Sequence, residues 1–337
     1  MPTPVSKPEG GLFYGWWLVG LSGFVMMLAH VPLFHAMSVW AVTLEREFGW
    51  SRTQLGLALT FTRIEGGLMG PVEGYLTDRL GARRMVFFGL LILSVGFFFF
   101  SKVESLWMFY TAYLIMAFGQ GFCGWLPLMT LLNHWFVRQR TTAIGWANTG
   151  TRLGALVIVP LIAWAIDPDY DRIGWQTTAL VLSIITIHVA YPISRLIQNR
   201  PEDTGLLPDG DDPPSKADGN AANLEGEEEN ASRLEKPSYP SSLDSDANNP
   251  PDLTAGEAVR TAAFWLISVG HGLTAMVILA IMAHVGLLLE DAGFSIQTTA
   301  WIVSVYTGVS MIFQLVGGYA GDRVPKRIAL FVFSTLQ

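Results

Sequence analysis

One short basic turn decides the fold of this chain: Gly74-Tyr75-Leu76-Thr77-Asp78-Arg79-Leu80-Gly81-Ala82-Arg83-Arg84. A similar turn begins 244 residues later and reads Gly318-Tyr319-Ala320-Gly321-Asp322-Arg323-Val324-Pro325-Lys326-Arg327. Each copy follows one long apolar run and precedes another. Basic turns repeated between apolar runs predict a membrane protein built from two similar halves, an organisation typical of secondary transporters.

The composition supports a membrane protein. Hydrophobic residues make up 51% of the chain and charged residues only 15%, whereas soluble domains carry about 25% charged residues. The net charge of −7 is unevenly distributed. Residues 201–257 hold 15 of the 28 acids and 3 of the 21 bases, a net charge of −12, so the remainder carries +5. The sequence therefore predicts an acidic soluble segment attached to a mildly basic membrane body.

Eight apolar runs are long enough to cross a bilayer, which takes about 20 residues. They are 13–40, 53–77, 85–101, 106–132, 142–166, 173–194, 262–289 and 298–320. Ser51 and Gln54 predict a capping box at the start of the second span. A ninth run starts at Ile328 and stops at Gln337. We therefore expect a truncated C-terminal half, with two complete spans and the start of a third.

The turns between the spans predict the orientation. Ten cations fall on the side of the first basic turn, and four fall on the opposite side. Because cytoplasmic loops carry an excess of Lys and Arg, the N-terminus is predicted to be cytoplasmic, in a multi-pass protein of the cell membrane. The ten are Arg79, Arg83, Arg84, Arg138, Arg140, Arg195, Arg200, Arg323, Lys326 and Arg327, and the four are Arg46, Arg52, Lys102 and Arg172.

Four regions follow from these patterns. Residues 1–12 are predicted to be a cytoplasmic tail, and 13–199 a six-helix bundle. Residues 200–257 are rich in Asp, Glu, Asn, Ser and Pro, which predicts a disordered cytoplasmic linker. Residues 258–337 are predicted to form the partial second bundle, and the packing surface that it leaves uncovered predicts a possible homodimer.

Two arginines lie near the middle of predicted spans. Arg63 follows Arg52 by eleven residues, or about 16 Å of helix, and Arg152 follows Arg140 by twelve, or about 18 Å. Arginine at this depth is costly and faces a cavity or a partner. We interpret the pair as a site for a small organic anion, since a guanidinium matches a carboxylate in bidentate geometry. The alternative is an internal ion pair, for example between Arg63 and Glu65 or Glu73.

Proton coupling has several candidate residues within the spans. Glu65 is one of them, because an intramembrane carboxyl group is costly unless it has a function or a partner. His30 and His271 are further candidates, since histidine titrates near neutral pH. A structural, hydrogen-bonded histidine is the alternative for both. The small-residue runs Gly66, Gly70, Gly74 and Gly150, Gly154 predict close helix packing, either fixed or moving.

Several other classes of protein are not supported by the sequence. The cations are scattered singly through short turns, so we predict no nucleic-acid binding. The one cysteine, Cys123, argues against a disulfide framework and a cysteine zinc site, and the histidines are too scattered for a metal site. We find no phosphate-binding Gly-x-x-x-x-Gly-Lys loop and no nucleophile motif. An enzyme is therefore not predicted, nor is a cofactor.

The turn from Gly74 to Arg84 resembles the signature loop of the major facilitator superfamily, Gly-x-x-x-Asp-Arg-x-Gly-x-Arg-Arg, at every specified position. Two further stretches are similar to the oxalate/formate antiporter and monocarboxylate transporter branch. They are Phe13-Tyr14-Gly15-Trp16-Trp17 and the segment with Trp135, Phe136, Arg140, Ala143, Gly145 and Gly150. The resemblance implies an all-α, major facilitator type helical bundle that works by alternating access.

The resemblance also implies a gating loop. Its residues would be Gly74, Asp78, Arg79, Gly81, Arg83 and Arg84 in the first copy, and Asp322 and Arg323 in the second. It implies that Asp322 pairs with the start of the fifth span, near Thr141. The first hypothesis is therefore a secondary transporter of a monocarboxylate-like anion, driven by protons or by exchange. The alternatives are a non-transporting membrane sensor or scaffold that uses its acidic linker, and an inactive truncated transporter.

Overall fold

A computed structural model describes residues 13–166, 173–211, 255–292 and 296–325 of the chain. Throughout these residues the secondary structure is helical, and no strand is present among them. The chain divides into two compact units, residues 1–213 with 306–333, and residues 214–305 with 334–337. The prediction of an all-α fold is confirmed by this architecture.

The helices follow the predicted spans closely, with additional breaks. In chain order they are α1 (Tyr14–His30), a π-helical turn (Val31–His35), α2 (Met37–Phe48), α3 (Arg52–Leu80), α4 (Ala82–Phe100), α5 (Leu106–Cys123), α6 (Trp125–Trp135), α7 (Arg140–Ile166), α8 (Trp175–Leu196), the 3₁₀ turns Glu202–Thr204 and Pro208–Gly210, α9 (Ala255–Ala258), α10 (Ala262–Asp291) and α11 (Ile296–Gly321).

Five of the described helical segments are long and apolar enough to cross a membrane. The 29-residue α3 is not among them, because Arg63, Glu65, Glu73 and its glycines lower its apolar character. Its start is nevertheless as predicted, since Ser51 and Gln54 form a complete capping box. The five segments are Tyr14–His35, Ala82–Phe100, Leu106–Trp135, Arg140–Ile166 and Trp175–Leu196.

The first predicted span is interrupted by the π-helical turn Val31–His35. Pro32 lacks an N–H and disturbs the helical hydrogen bonds, which favours such a turn. The carbonyls in the turn find other donors: Trp40 Nε1 donates to Pro32 O at 2.9 Å, and the Tyr113 hydroxyl donates to Leu33 O. The span predicted at 106–132 is similarly broken at Gly124 into α5 and α6.

Three helix contacts dominate the core of the first unit. Helix α4 packs against α5 and against α8, and α1 packs against α7. Small residues permit the contact between α1 and α7, because a Cβ on Gly150 would lie 2.6 Å from Gly23 Cα. The predicted close packing therefore holds for α7. In contrast, a Cβ on Gly66, Gly70 or Gly74 of α3 would meet no described atom within 4 Å.

The first part of the predicted linker is folded. Residues 201–211 form the two 3₁₀ turns, Thr204 is 7% exposed, and Leu206 packs against the hydrophobic core. The acidic composition of 200–257 concealed this short segment, because the acids that follow it dominate the average over its own apolar residues, Leu206 and Leu207. Residues 212–254 lie outside the described residues.

Candidate functional site

A cavity of about 340 Å³ opens within the first unit, beside the middle of α7. Its walls combine apolar side chains with a set of polar and cationic ones. The polar members come from α1 and its π turn, α5, α7 and α11. The lining residues are Met26, His30, His35, Gln120, Gly124, Trp125, Asn148, Thr151, Arg152 and Gln314.

Arg152 is the cation that lines this cavity. Its Nε donates a hydrogen bond to Gln314 Oε1 at 2.6 Å. Among the described residues, no protein group accepts a hydrogen bond from its two Nη atoms. Gln314 therefore fixes one side of the guanidinium and leaves the outer edge with its donors available. Such an edge can bind a carboxylate through two parallel hydrogen bonds.

The predicted partner of Arg152, Arg63, does not line the cavity but lies close to it. Its Cζ is 5.3 Å from the centroid of the Phe34 ring, and that ring lies 4.6 Å from the ring of His30. The predicted alternative, an ion pair from Arg63 to Glu65 or Glu73, is absent from the described contacts. Arg63 thus lies against an aromatic face, and no carboxylate among the described residues forms an ion pair with it.

His30 is the one proton-coupling candidate that lines the cavity. Its Nδ1 lies 3.3 Å from Gln120 Nε2, and its ring is 5.6 Å from that of His35. The π turn brings these two rings together, because it displaces His35 from regular α-helical spacing. His271 lies on α10 in the second unit, where it is exposed.

The carboxyl groups of α3 are separate from the cavity. One oxygen of Glu65 and one of Glu73 are buried without a hydrogen-bond partner in the described part of the chain. Glu73 is only 6% exposed and packs against the backbone at Gly121 of α5. Burying a charged carboxylate without a partner is costly, so burial of these oxygens disfavours the charged form of both groups.

The second basic turn contacts the start of α7. The Asp322 carboxylate accepts hydrogen bonds from Thr141 N and Thr142 N, both at 2.8 Å, and from the Thr141 hydroxyl. Desolvation acts to raise the pKa of Asp322, but the hydrogen bonds from Thr141 and Thr142 outweigh it and lower the pKa. Arg323 stacks on Tyr319, with Cζ 3.6 Å from the ring centroid.

The first basic turn is held by a residue that the sequence did not point to. Gly81 has φ +77°, and a Cβ there would lie 2.7 Å from Asn199 Cγ. Asn199 Oδ1 in turn accepts a hydrogen bond from Arg83 N at 2.9 Å, which caps α4. Arg79 stacks on Tyr75. The one signal in the sequence for this role of Asn199 was its position as a polar residue shortly after the end of α8.

Within the part of the chain that the structure describes, Asp78 has no hydrogen bond or ion pair, Gly74 has open space around it, and Arg84 is exposed. Sequence reasoning also missed four cavity residues, Gln120, Asn148, Thr151 and Gln314. Their signal was available, because each is a polar side chain at mid-depth in an apolar run.

Comparison with known proteins identifies the family. The profile of the Major Facilitator Superfamily matches residues 14–337. The chain belongs to the Major Facilitator Superfamily. As a member of this superfamily it is a membrane protein and not an enzyme, and its predicted major facilitator fold is confirmed.

Individual superfamily members resemble the chain at low identity. It is 27% identical over 278 residues to the membrane sensor protein UhpC of Salmonella typhimurium, covering 81% of this chain and 57% of that protein. It is 24% identical over 193 residues to the oxalate:formate antiporter of Oxalobacter formigenes, covering 57% and 46%. It is 28% identical over 192 residues to human monocarboxylate transporter 11, covering 56% and 38%. The chain thus spans about half the length of these superfamily members.

Proposed function

We propose that the protein is a secondary transporter of a small organic anion, monocarboxylate-like in its chemistry, and that it works by alternating access. The observation that carries this proposal is the guanidinium of Arg152 at the wall of a cavity of about 340 Å³. Arg152 lies twelve residues into α7, or about 18 Å along it. At that depth a cation is costly unless it binds a partner.

The surroundings of the guanidinium favour a carboxylate as that partner. Gln314 occupies Nε, so the Nη donors remain for a planar, bidentate anion. Asn148, Thr151 and Gln120 supply further neutral donors and acceptors to the same cavity. Arg63, which lies against the Phe34 ring, supplies a second positive charge nearby. The two positive charges together attract an anion to the cavity.

Energy coupling belongs to the proposal as well, by protons or by exchange. His30 lines the cavity, and Glu65 has a buried carboxyl oxygen without a described partner, so these two are the favoured proton carriers. His271 remains a candidate in the second unit. The two basic turns act as cytoplasmic gates. In the second copy Asp322 binds the start of α7, and in the first copy the gating residues are Asp78, Arg79 and Arg83. This assignment places the N-terminus and residues 200–257 on the cytoplasmic side of the cell membrane.

The test is uptake by the full-length protein in proteoliposomes, with lactate, pyruvate and oxalate as probes. Removing a charge-assisted bidentate contact costs about 1.5–3 kcal/mol, so Arg152→Gln should raise KM about 10- to 100-fold. Arg152→Lys keeps the charge but loses the planar fork, and its KM should fall in between. Arg195→Gln is the matched control, because Arg195 is exposed, stacks on Tyr191 and is not among the residues that line the cavity. An unchanged KM in Arg152→Gln overturns the proposal.

A membrane sensor is the second candidate function, because UhpC, which is named a sensor, aligns with 81% of the chain. A sensor would bind the anion at Arg152 without moving it, and would need residues 212–254 to signal to a cytoplasmic partner. Deleting residues 212–254 distinguishes the two functions. Unchanged uptake after the deletion supports the transporter, whereas anion binding without any uptake by the intact protein supports the sensor.

A further inference from the structure

The loop between α6 and α7 is held by a carboxylate from the segment that follows α8. Asp209 Oδ2 accepts hydrogen bonds from Val137 N at 3.0 Å and Arg138 N at 2.8 Å. Its Oδ1 accepts one from Gln139 N at 3.4 Å. The Asp209 side chain is only 2% exposed and lies 3.9 Å from Arg138 Nε. The buried Asp209 carboxylate thus binds the amides of three successive residues.

The segment that carries Asp209 is itself anchored. Leu206 N donates to Pro201 O at 3.1 Å and closes the first turn, and Leu206 packs on the core. Asp209 has φ +57°, the only positive φ at a non-glycine residue among those described. Residues other than glycine rarely adopt this left-handed backbone conformation. The backbone at Asp209 is therefore strained in the conformation that brings its carboxylate to the loop.

The next amides along the chain belong to the proposed gate. Asp322 accepts from Thr141 N and Thr142 N, one residue beyond the amides that Asp209 binds. Two carboxylates from distant parts of the sequence therefore bind five of the six amides from 137 to 142. The N-terminus of α7 attracts both anions, because its free amides and its dipole favour negative charge.

We infer that Asp209 is a positioning residue for the gate: it holds the loop of residues 137–139 so that the first amides of α7 face Asp322. This inference rests on the gating role of Asp322 in the proposed function. A loop without this anchor would lose order, and Asp322 would have to supply the ordering free energy when it binds.

Repulsion between the carboxylates of Asp209 and Asp322 would weaken the Asp322 contact, whereas the ordering of the loop by Asp209 strengthens it. If repulsion dominated, removing Asp209 would tighten the Asp322 contact. Arg138 weakens the repulsion, because its Nε faces Asp209 and its Nη2 lies 2.5 Å from Asp211 Oδ1. We therefore expect the loss of order to dominate.

The experiment places a reporter at the gate of the full-length protein. In a cysteine-free background, Thr142→Cys puts a thiol where the Thr142 hydroxyl now donates to Gly318 O at 3.4 Å. Its maleimide labelling rate then measures how often α7 and the second basic turn separate. Asp209→Gly is the main variant, because glycine tolerates φ +57° and removes the carboxylate without adding backbone strain. Asp209→Asn is a second variant that keeps the side-chain shape.

We expect Asp209→Gly to raise the labelling rate about tenfold, and Asp322→Asn to raise it at least as much. The double variant should label no faster than Asp322→Asn alone, because both residues act on one contact. Asp211→Asn is the matched control, since Asp211 contacts the Arg138 side chain and is 51% exposed. Its labelling rate should match that of the parent protein.

Three results overturn the inference. Asp209→Gly and Asp209→Asn could both label like Asp211→Asn, or more slowly than the parent, while Asp322→Asn labels fast; the gate then stands and Asp209 has no part in it. The double variant could show the product of the two single effects, which means that the residues act independently. If Asp322→Asn itself labels like the parent, the proposed gate fails, and the inference fails with it.

Discussion

The contact between α1 and α7 yields a sharp stability prediction. In Gly150→Ala, the new Cβ would lie 2.6 Å from Gly23 Cα and 2.5 Å from Gly23 O. Carbon atoms in good contact are about 3.5–4.0 Å apart, so the helices must separate by roughly 1 Å. The clashing atoms are backbone and cannot rotate away. Overpacking of this kind costs about 1–3 kcal/mol.

Gly20→Ala is the matched control, because Gly20 lies on α1 and a Cβ there meets no described atom within 4 Å. Alanine restricts the unfolded chain and gains about 0.5–1 kcal/mol over glycine in a helix. The same gain applies at Gly150, so its net loss should be between about 0 and 2.5 kcal/mol. Gly150→Ala should thus be less stable than Gly20→Ala by the overpacking cost of about 1–3 kcal/mol.

Heating the detergent-solubilised protein and following the monodisperse peak by size exclusion measures both shifts. The midpoint shifts by about 2–4 °C per kcal/mol for chains of roughly 150–250 residues and by less for longer ones, so Gly150→Ala should lower the midpoint by a few degrees relative to Gly20→Ala. Gly20→Ala should leave it unchanged or raise it slightly. Equal midpoints for Gly150→Ala and Gly20→Ala would refute the close approach of α1 and α7.

Three further predictions concern single side chains. Ser51→Ala removes the capping box of α3 and should cost about 1 kcal/mol in thermal unfolding; an unchanged midpoint contradicts the cap. Cys123 is 0% exposed, so maleimide should label it only after denaturation, and rapid labelling of the folded protein rules out its buried position. Because the pKa of Asp322 is lowered in the folded state, its stabilisation is complete above its unfolded pKa of about 3.9 and disappears as the pH falls through the lower folded value. The stability difference between the parent and Asp322→Asn should therefore shrink below about pH 4. A constant difference from pH 7 to pH 3 would contradict the contact of Asp322 with the amides of Thr141 and Thr142.

Local signals in the sequence were sufficient for the helices. Apolar run length located the spans, and the pair Ser51 and Gln54 located the start of α3. The break at Gly124 and the π turn at Val31–His35 were not predictable in this way. The π turn depends on a distant donor, since the Tyr113 hydroxyl on α5 donates to Leu33 O. Hydrophobic periodicity carries no information about such partners.

The site was predictable in part. Depth along α7 pointed to Arg152, and the structure places it at the cavity wall. The same argument pointed to Arg63, which lies beyond Phe34 instead, because depth fixes a residue's level in the bilayer but not which face of the helix it occupies. Gln314 was missed for a related reason: its contact with Arg152 joins residues 162 positions apart.

Helix α7 connects the two parts of the proposed mechanism. Its first amides bind Asp322, the residue directly after α11. About 16 Å further along α7, Arg152 Nε donates to Gln314 on α11. Between them, Gly145 faces Gln314 O and Gly318 Cα at 3.4 and 3.6 Å from its would-be Cβ. Small residues along this line let the two helices slide or separate at little steric cost. An anion that draws the guanidinium of Arg152 toward itself would therefore act on α7 and α11, the pair of helices that the proposed gate at Asp322 would hold together. This shared pair is a physical route by which binding in the cavity would influence opening at the proposed gate.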